Sequence, residues 1–259
     1  MRVRLESLTC GYGGAEPVLR DVDLEFSSDD GLVCIVGPNG VGKSTLVRCI
    51  DNLVPPVSGR VTIDGRDVSG IPRGELADMV GYVQAVQPVS TGATVFETVS
   101  MGRYNRMRWR MGAEDLEAVS RAMEALGLTG MADEPVCELS AGQQQRVMIA
   151  RGLVQGTGML ILDEPTSNLD VRAQLFVASL LRGIAHGDGK LVLMICHDIN
   201  IASKTADRIL MLAEPGRVLA YGTPEEVVTE ENMRGAYGVG CDVVVHEGRP
   251  HVMVRSDSV

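Results

Sequence analysis

The sequence predicts an α/β protein whose central sheet is mainly parallel, and three observations support this prediction. Short apolar runs such as "GLVCIVG", "GMLILDE" and "KLVLMIC" have the length and composition of buried strands. The helical segment "VRAQLFVASLLRGIAH" separates two of these runs, and a strand–helix–strand order implies parallel strands joined by right-handed crossovers. The chain has 259 residues, of which 45% are hydrophobic, so it can bury a large core.

The N-terminal part of the chain predicts a second, antiparallel β subdomain. "RVRLESLTCGYG" and "PVLRDVDLEF" alternate apolar and polar residues, and "GRVTIDGRDV" has the pattern of a hairpin. Between them, the chain after Gly42 predicts a helix, which we expect Pro55 and Pro56 to end. The apolar face of this helix is expected to consist of Leu46, Val47, Ile50 and Leu53. "DMVGYVQ" is a further predicted strand.

The middle of the chain predicts a mainly helical insertion, because the apolar period changes to 3.6 from about Pro88 to Thr157. One of its helices is expected to bury Leu116, Val119, Met123 and Leu126. We therefore assign residues 1–87 and 158–235 to the core with its antiparallel β subdomain, and residues 88–157 to a helical subdomain. Residues 236–259 are predicted as a short tail, in which "CDVVVHEGRPHVMV" has the pattern of a hairpin.

The charge of the chain argues against some classes of partner. The net charge of −10 disfavours binding to nucleic acid or to anionic lipid through bulk electrostatics. "GRYNRMRWRMG" interleaves four arginines with Tyr104 and Trp109, a composition also found where proteins bind single-stranded nucleic acid. We favour its interpretation as an ordinary part of the helical insertion. No apolar run approaches the ~20 residues that span a bilayer, so we expect a cytosolic or peripheral protein.

A nine-residue segment, "GPNGVGKST", matches the phosphate-binding pattern G-x-x-x-x-G-K-[ST]. It lies between a predicted buried strand and a predicted helix, as such a loop must. Its glycines let backbone amides surround phosphate oxygens, Lys43 is expected to contact the β- and γ-phosphates, and Ser44 to hold Mg²⁺. The predicted ATP-binding residues here are Gly37, Pro38, Asn39, Gly40, Val41, Gly42, Lys43, Ser44 and Thr45.

Two carboxylates, Asp163 and Glu164, follow the apolar strand "MLIL". The carboxyl ends of parallel strands form the edge where open α/β sheets bind ligands. Asp163 is therefore predicted to orient Mg²⁺. Glu164 is predicted to take a proton from an attacking water.

A second candidate anion site lies in "ELSAGQQQRVMIARGL". Ser140 can cap the predicted helix, and Gly142 leaves its own amide uncovered, so the helix presents free N–H groups and the positive end of its dipole. The segment contains no lysine. We infer that something else must hold the rest of any nucleotide that binds there.

These motifs together resemble the nucleotide-binding subunit of an ABC transporter. The resemblance identifies Leu139, Ser140, Ala141, Gly142 and Gln143 as the signature motif, with Ala141 in place of the usual glycine. It also identifies Ser167, Asn168, Leu169 and Asp170 as the D-loop. His197 resembles the family's switch histidine, which contacts the γ-phosphate, and Tyr12 resembles the aromatic residue that stacks on adenine.

The family also carries a glutamine after the strand that enters the helical insertion. The register here is ambiguous, because the expected spacing falls on Ala85, with Gln84 and Gln87 on either side. We favour Gln84 as the residue that reaches Mg²⁺ and the attacking water, because it directly follows the strand "VGYV". Gln87 is the alternative.

The resemblance implies that two copies of the chain pack head to tail, with Ser140 and Gly142 of one copy closing over ATP bound at Lys43 of the other. The segments "TVFETVSMGR", "CHDINIASKTADRILML" and "GRVLAYGTPEEVVTEENMRGAYGV" look most like importers of iron–siderophore, haem and cobalamin complexes. This implies permease subunits, an external solute-binding protein and a location on the inner face of the cell membrane. The alternative is a soluble ABC ATPase of iron–sulfur cluster assembly.

Overall fold

The computed structural model describes residues 1–12, 16–84, 92–106, 110–166 and 169–255, and these residues form twelve strands and nine α-helices. The strands are β1 (Arg2–Cys10), β2 (Leu19–Ser27), β3 (Leu32–Val36), β4 (Ser58–Ile63), β5 (Arg66–Asp67), β6 (Val80–Val83), β7 (Met159–Leu162), β8 (Leu191–Ile195), β9 (Arg208–Ala213), β10 (Arg217–Gly222), β11 (Cys241–His246) and β12 (Arg249–Val254). The helices are α1 (Lys43–Ile50), α2 (Arg73–Met79), α3 (Val95–Ser100), α4 (Ala113–Ala125), α5 (Ala141–Leu153), α6 (Val171–Asp188), α7 (Ile199–Thr205), α8 (Pro224–Val227) and α9 (Glu230–Tyr237).

The central sheet has six strands in the order β10-β9-β3-β8-β7-β6. All neighbouring pairs among β9, β3, β8, β7 and β6 are parallel, and only β10 is antiparallel to its neighbour. The α/β fold with a mainly parallel sheet is therefore confirmed. Because β3 and β7 run in the same direction in this sheet, the loops that follow them open at the same edge.

The predicted antiparallel sheet is also present, in the order β2-β1-β4-β5. Strands β4 and β5 are joined by a two-residue turn at Asp64 and Gly65, both of which have positive φ. This conformation matches the right-handed twist of the strands it connects. The apolar face of this sheet packs against one face of β3, to which Val33 and Ile35 contribute, and against helix α1. The second apolar cluster takes the alternate residues of β3, Cys34 among them, and joins the helices α3, α4 and α5 to the central sheet.

Helix α1 ends earlier than the sequence predicts. Asn52 adopts a left-handed φ of 50°, the Leu53 amide donates to the Arg48 carbonyl at 2.8 Å, and the Asn52 amide donates to the Cys49 carbonyl at 3.1 Å. These two bonds form a Schellman motif with asparagine in the left-handed position. The helix is thus ended by Asn52 rather than by Pro55, and Leu53 lies outside it, 39% exposed.

The buried face of α4 also differs from the prediction. Val119, Met123 and Leu126 are buried as expected, but Leu116 is 46% exposed, and Ala122 belongs to the buried face instead. Periodicity identifies the side of a helix that faces a neighbour. It cannot tell how far along the helix that neighbour extends.

The predicted C-terminal hairpin is formed by β11 and β12, whose register aligns Val243 with Val252. It is fixed to α7 because the Asn200 carboxamide donates to the Val252 carbonyl at 3.2 Å and accepts from the Val252 amide at 2.8 Å. In the part of the chain that the structure describes, no helix is both long and apolar enough to cross a bilayer.

Candidate functional site

The loop between β3 and α1 is built around glycines. Gly37, Gly40 and Gly42 have φ values of 146°, 82° and 109°, which side chains rarely tolerate. A Cβ at Gly37 would lie 2.5 Å from the Leu212 carbonyl oxygen, and one at Gly42 would lie 2.8 Å from Leu19 Cδ2. Glycine is therefore required at both positions, and the chain turns back on itself before entering the helix.

Lys43 is the first residue of α1 and is 5% exposed. Its ammonium group donates hydrogen bonds to the carbonyl oxygens of Gly37 and Pro38, both at 2.8 Å. Burial lowers the pKa of Lys43, and the carboxylates of Glu164 and Asp163 oppose that effect. The loop thus holds a compact positive charge at its centre, where a phosphate group would be contacted.

Asp163 lies directly after β7 and is 5% exposed. Its Oδ1 accepts a hydrogen bond from the Ser44 hydroxyl at 2.9 Å, and its Oδ2 accepts one from the Tyr82 hydroxyl at 3.0 Å. Burial raises the pKa of Tyr82, so this phenol stays a neutral donor. The structure therefore brings together Ser44 and Asp163, two of the predicted metal-side residues.

Glu164 adopts a left-handed conformation with φ of 55°, which is unusual for a residue with a side chain. Such a conformation costs roughly 1–3 kcal/mol and persists only where the surroundings impose it. The carboxylate Oε1 lies 2.7 Å from Nε2 of His197, which follows β8. Glu164 and His197, two of the three predicted catalytic residues with Gln84, are thus in direct contact at the carboxyl edge of the sheet.

A cavity of about 510 Å³ connects these groups. This volume lies in the range of small-molecule sites. Tyr12 forms part of its wall and is 46% exposed, which leaves its ring accessible for stacking. The cavity is lined by Tyr12, Val18, Asn39, Gly40, Gly42, Lys43, Ser44, Thr45, Glu164 and His197.

Gln84 directly follows β6, and its side chain is exposed. The register of β6 on β7 aligns Val83 with Leu162, and the Asp163 amide donates to the Val83 carbonyl at 2.8 Å. Gln84 therefore lies beside Asp163 at the same edge of the sheet. Ala85 and the alternative Gln87 are outside the described residues, so the choice between the two glutamines stays a prediction.

The signature segment forms the N-terminus of α5. The Gln143 amide donates to the Ser140 hydroxyl at 3.4 Å, and the Gln143 carboxamide accepts from the Ser140 amide at 2.8 Å, which makes a capping box. Within the described residues, the amides of Ala141 and Gly142 make no hydrogen bond, as expected for the first turn of a helix. Leu139, directly before Ser140, is buried and so fixes this segment to the protein core.

A second cavity, of about 370 Å³, opens in front of this helix. Leu169 and Asp170 of the predicted D-loop contribute to it, and Asp170 caps α6 by accepting from the Ala173 amide at 2.8 Å. Ser167 and Asn168 lie outside the described residues. The lining comprises Ser140, Gly142, Gln143, Arg146, Leu169, Asp170, Arg172, Ala173, Phe176 and Val177, so this cavity shares no lining residue with the first.

Two residues of the site were not singled out from the sequence. Arg48 lies one helical turn after Ser44, and its Nη2 is 3.7 Å from Asp163 Oδ2. Tyr82 lies on β6, two residues before Gln84, and its hydroxyl donates to Asp163. Both positions follow from helix and strand periods once the neighbouring site residues are known.

The predicted metal-binding residues, Ser44, Asp163 and Gln84, fit a magnesium ion. Mg²⁺ prefers oxygen ligands and is typically held by one or two carboxylates together with substrate phosphates and water. A serine hydroxyl, a buried carboxylate and a nearby carboxamide supply oxygens of that kind. Among the described residues no group of three or more His, Cys, Asp or Glu side chains forms a metal cage of its own.

Comparison with known proteins agrees with this geometry. Residues 19–167 match the model of the ABC transporter family. The chain is 38% identical over 247 residues to the ferric enterobactin transport ATP-binding protein FepC of Escherichia coli (strain K12), which covers 94% of this chain and 89% of that protein. It is 36% identical over 258 residues to the hemin import ATP-binding protein HmuV of Bordetella pertussis, with 96% and 97% covered.

Among solved structures, a dimeric post-hydrolysis state of the ATP-binding cassette MJ0796, bound to ADP and Pi, superimposes with a TM-score of 0.75 at 30% identity. The superposition covers 85% of this chain and 98% of the other. The family match extends over more than half of the chain, and the two relatives align over nearly all of it. The chain therefore belongs to the ABC transporter family and is one of its ATP-binding, ATP-hydrolysing cassettes.

Proposed function

We propose that this chain is the ATP-hydrolysing subunit of an importer for metal-chelate solutes, of the iron–siderophore, haem or cobalamin type. The observation that carries this proposal is the near full-length similarity to two import ATPases, FepC and HmuV. In this proposal the chain lies at the inner face of the cell membrane, bound to permease subunits and indirectly served by an external solute-binding protein. It has no nucleic-acid partner.

In the proposed mechanism the first cavity binds MgATP. Tyr12 stacks on the base, and the amides of the loop together with Lys43 bind the β- and γ-phosphates. Ser44 and Asp163 hold the metal side, with Gln84 beside them. When bound, Mg²⁺ neutralises charge on the phosphates and so favours attack at phosphorus.

The hydrolytic step is assigned to Glu164. Its carboxylate lines the cavity and takes the proton of the attacking water. His197 lies 2.7 Å from the Glu164 carboxylate and restricts the orientations it can adopt. Because His197 lines the same cavity, it is also placed in the proposal as the residue that contacts the γ-phosphate.

The second cavity is proposed to complete the site of another copy. Ala141 and Gly142 offer two unpaired amides, and Leu169 and Asp170 line the same cavity, which faces the other copy in a head-to-tail dimer. ATP favours this dimer because it contacts both copies, and hydrolysis removes the contact and releases them. ATP binding thus brings two copies together and hydrolysis separates them, and this cycle can drive a permease.

The contact with the permease is proposed at the region around α3. A cavity of about 270 Å³ there is lined in part by Met101, Tyr104, Asn105 and Arg151. Tyr104 is 64% exposed, and Phe96 on α3 is 36% exposed. An exposed aromatic residue that lines a cavity, as Tyr104 does, suits the binding of a protein segment.

The test is ATPase activity in vesicles reconstituted with the permease, with candidate chelates loaded on the binding protein. We expect one metal chelate to stimulate hydrolysis, whereas stimulation by a solute of another class would contradict the importer assignment. Co-purification addresses the alternative. Recovery of permease subunits from detergent extracts supports the importer, and recovery of soluble scaffold proteins supports a role in iron–sulfur cluster assembly.

A further inference from the structure

Arg48 links Tyr12, which lines the nucleotide cavity, to Asp163, which accepts a hydrogen bond from the cavity residue Ser44. Its Nη1 donates a hydrogen bond to the Tyr12 hydroxyl at 3.3 Å, and its Nη2 lies 3.7 Å from Asp163 Oδ2. Tyr12 lies on the base side of the cavity in the proposed function, and Asp163 on the metal side. One guanidinium therefore contacts both the proposed base-stacking residue and the proposed metal-binding carboxylate.

The chemistry of Arg48 suits such a link. A guanidinium is planar and always charged, and it presents several N–H donors in a fixed arrangement, so two partners can be held at once. Arg48 lies one turn after Ser44 on α1, a helix whose start is fixed by the phosphate-binding loop. Its side chain is 40% exposed, so the link can form and break without disturbing the core.

Asp163 is both a partner of Arg48 and a residue of the predicted magnesium site. Oδ1 accepts from Ser44, whereas Oδ2 accepts from Tyr82 and faces Arg48. A shift of the guanidinium changes the charge near Oδ2 and hence the preferred position of the carboxylate. That position sets how well Asp163 and Ser44 meet a metal ion.

We propose that Arg48 is a positioning residue that couples base binding at Tyr12 to metal binding at Asp163. A base stacked on Tyr12 fixes the phenol, the phenol fixes the guanidinium, and the guanidinium fixes the carboxylate. The inference rests on the proposed roles of Tyr12 and Asp163. It predicts that a nucleotide lowers the Mg²⁺ concentration needed for binding more than a ligand without a base does.

The experiment compares ADP with inorganic pyrophosphate, which lacks the base, and neither ligand requires hydrolysis or a γ-phosphate. Equilibrium binding is measured by calorimetry over a range of Mg²⁺ concentrations. The readout is the ratio of half-saturating Mg²⁺ for pyrophosphate to that for ADP. The solution affinity of Mg²⁺ for each ligand is the same for every variant, so it cancels when variants are compared.

We expect Arg48→Met to lower this ratio about fivefold, at the small end of typical coupling between sites because the arginine is partly exposed. Tyr12→Phe keeps the stacking ring but removes the hydroxyl, and should lower the ratio by the same factor. The double variant should show no further loss, because both substitutions break one chain of contacts. Arg121→Met, which removes an exposed arginine paired with Glu117 on α4, should leave the ratio unchanged.

An unchanged ratio in Arg48→Met, or in Tyr12→Phe, would overturn the coupling. A merely structural role of Arg48 would shift the Mg²⁺ requirement equally for both ligands, which also overturns it. Failure of the proposed function looks different. In that case the unmodified protein would show no Mg²⁺-dependent binding of either ligand.

Discussion

Two helices of this protein present their N-termini to cavities, and they do so with different chemistry. Helix α1 begins after Gly42, which has a left-handed φ of 109° and no side-chain cap, and its first residue is the buried Lys43. Helix α5 begins after Ser140, whose hydroxyl caps the first turn. The first helix start is thus surrounded by the loop and carries a cation, whereas the second is exposed and carries a neutral cap.

The difference shows which of the two can hold a nucleotide unaided. Both termini offer amides and a positive dipole end, but these weak contributions act only within the first turn. The cavity at α5 contains Arg146 and Arg172, and Arg146 already donates to the Leu126 carbonyl at 3.0 Å. The first cavity therefore binds the nucleotide in our account, and the second recognises a phosphate that is already held.

The largest expected effect separates ATP hydrolysis from ATP binding in the first cavity. Glu164→Gln keeps the size of the side chain but removes the base, so ATP turnover should fall about 1000-fold, within the usual range for loss of a general base. ATP binding should be retained. Steady-state phosphate release checks this, with Glu117→Gln on the exposed face of α4 as the matched control. Normal turnover by Glu164→Gln would refute the assignment of the base.

The next effect concerns Lys43, the buried cation at the start of α1. Lys43→Ala should weaken nucleotide binding about 100-fold, as expected for loss of charge-assisted bonds worth ~3 kcal/mol. Lys43→Arg should also bind poorly, because a planar guanidinium does not fit the tight loop. Calorimetry measures both variants beside Lys204→Ala, whose lysine is exposed and paired with Glu247. Tight binding by Lys43→Ala would remove the distinction between the two helix starts.

A charge introduced at the N-terminus of α5 should affect the ATPase only when two copies form the dimer. Gly142→Asp places a carboxylate where a γ-phosphate is expected, so turnover should fall about tenfold or more through like-charge repulsion. The affinity of a single chain for ADP should not change. Gly130→Asp, at a glycine with open space around it, is the control. If Gly142→Asp weakened ADP binding to a single chain, the two cavities would not be independent.

The smallest effect tests whether the cap of α6 has a role beyond stability. Asp170→Ala and Thr229→Ala each remove a helix N-cap, and each should lower the free energy of unfolding by about 1 kcal/mol. Only Asp170 lines the second cavity, so only Asp170→Ala should also lower turnover. Chemical denaturation and ATPase assays on both variants make the comparison. Equal activity of the two variants would assign Asp170 a structural role alone.

The sequence predicts most of the difference between the N-termini of α1 and α5, because glycine spacing, capping residues and strand ends are local properties. The positions of Lys43, Asp163 and Ser140 relative to their elements follow directly from such patterns. The end of α1 does not, because Asn52 ends the helix through its own left-handed conformation before the prolines are reached. A single asparagine gives no strong signal of that kind.

Features that depend on tertiary contacts could not be predicted. The contact between His197 and Glu164 joins residues that follow two different strands, and the left-handed φ of Glu164 has no composition signal. Likewise, the environment of Arg48 depends on where Tyr12 and Tyr82 lie. Leu116 shows the opposite error, since a regular apolar period predicted burial for a side chain that is 46% exposed.

The central claim is that one chain contains two incomplete parts of a reaction centre and that two chains complete it. Sedimentation of Glu164→Gln saturated with MgATP tests this most directly, because bound ATP cannot be hydrolysed and the closed state accumulates. The account predicts a species of twice the 27.7 kDa chain mass, which dissociates when Lys43→Ala is added to the same chain. A single-chain species at saturating MgATP would contradict the account.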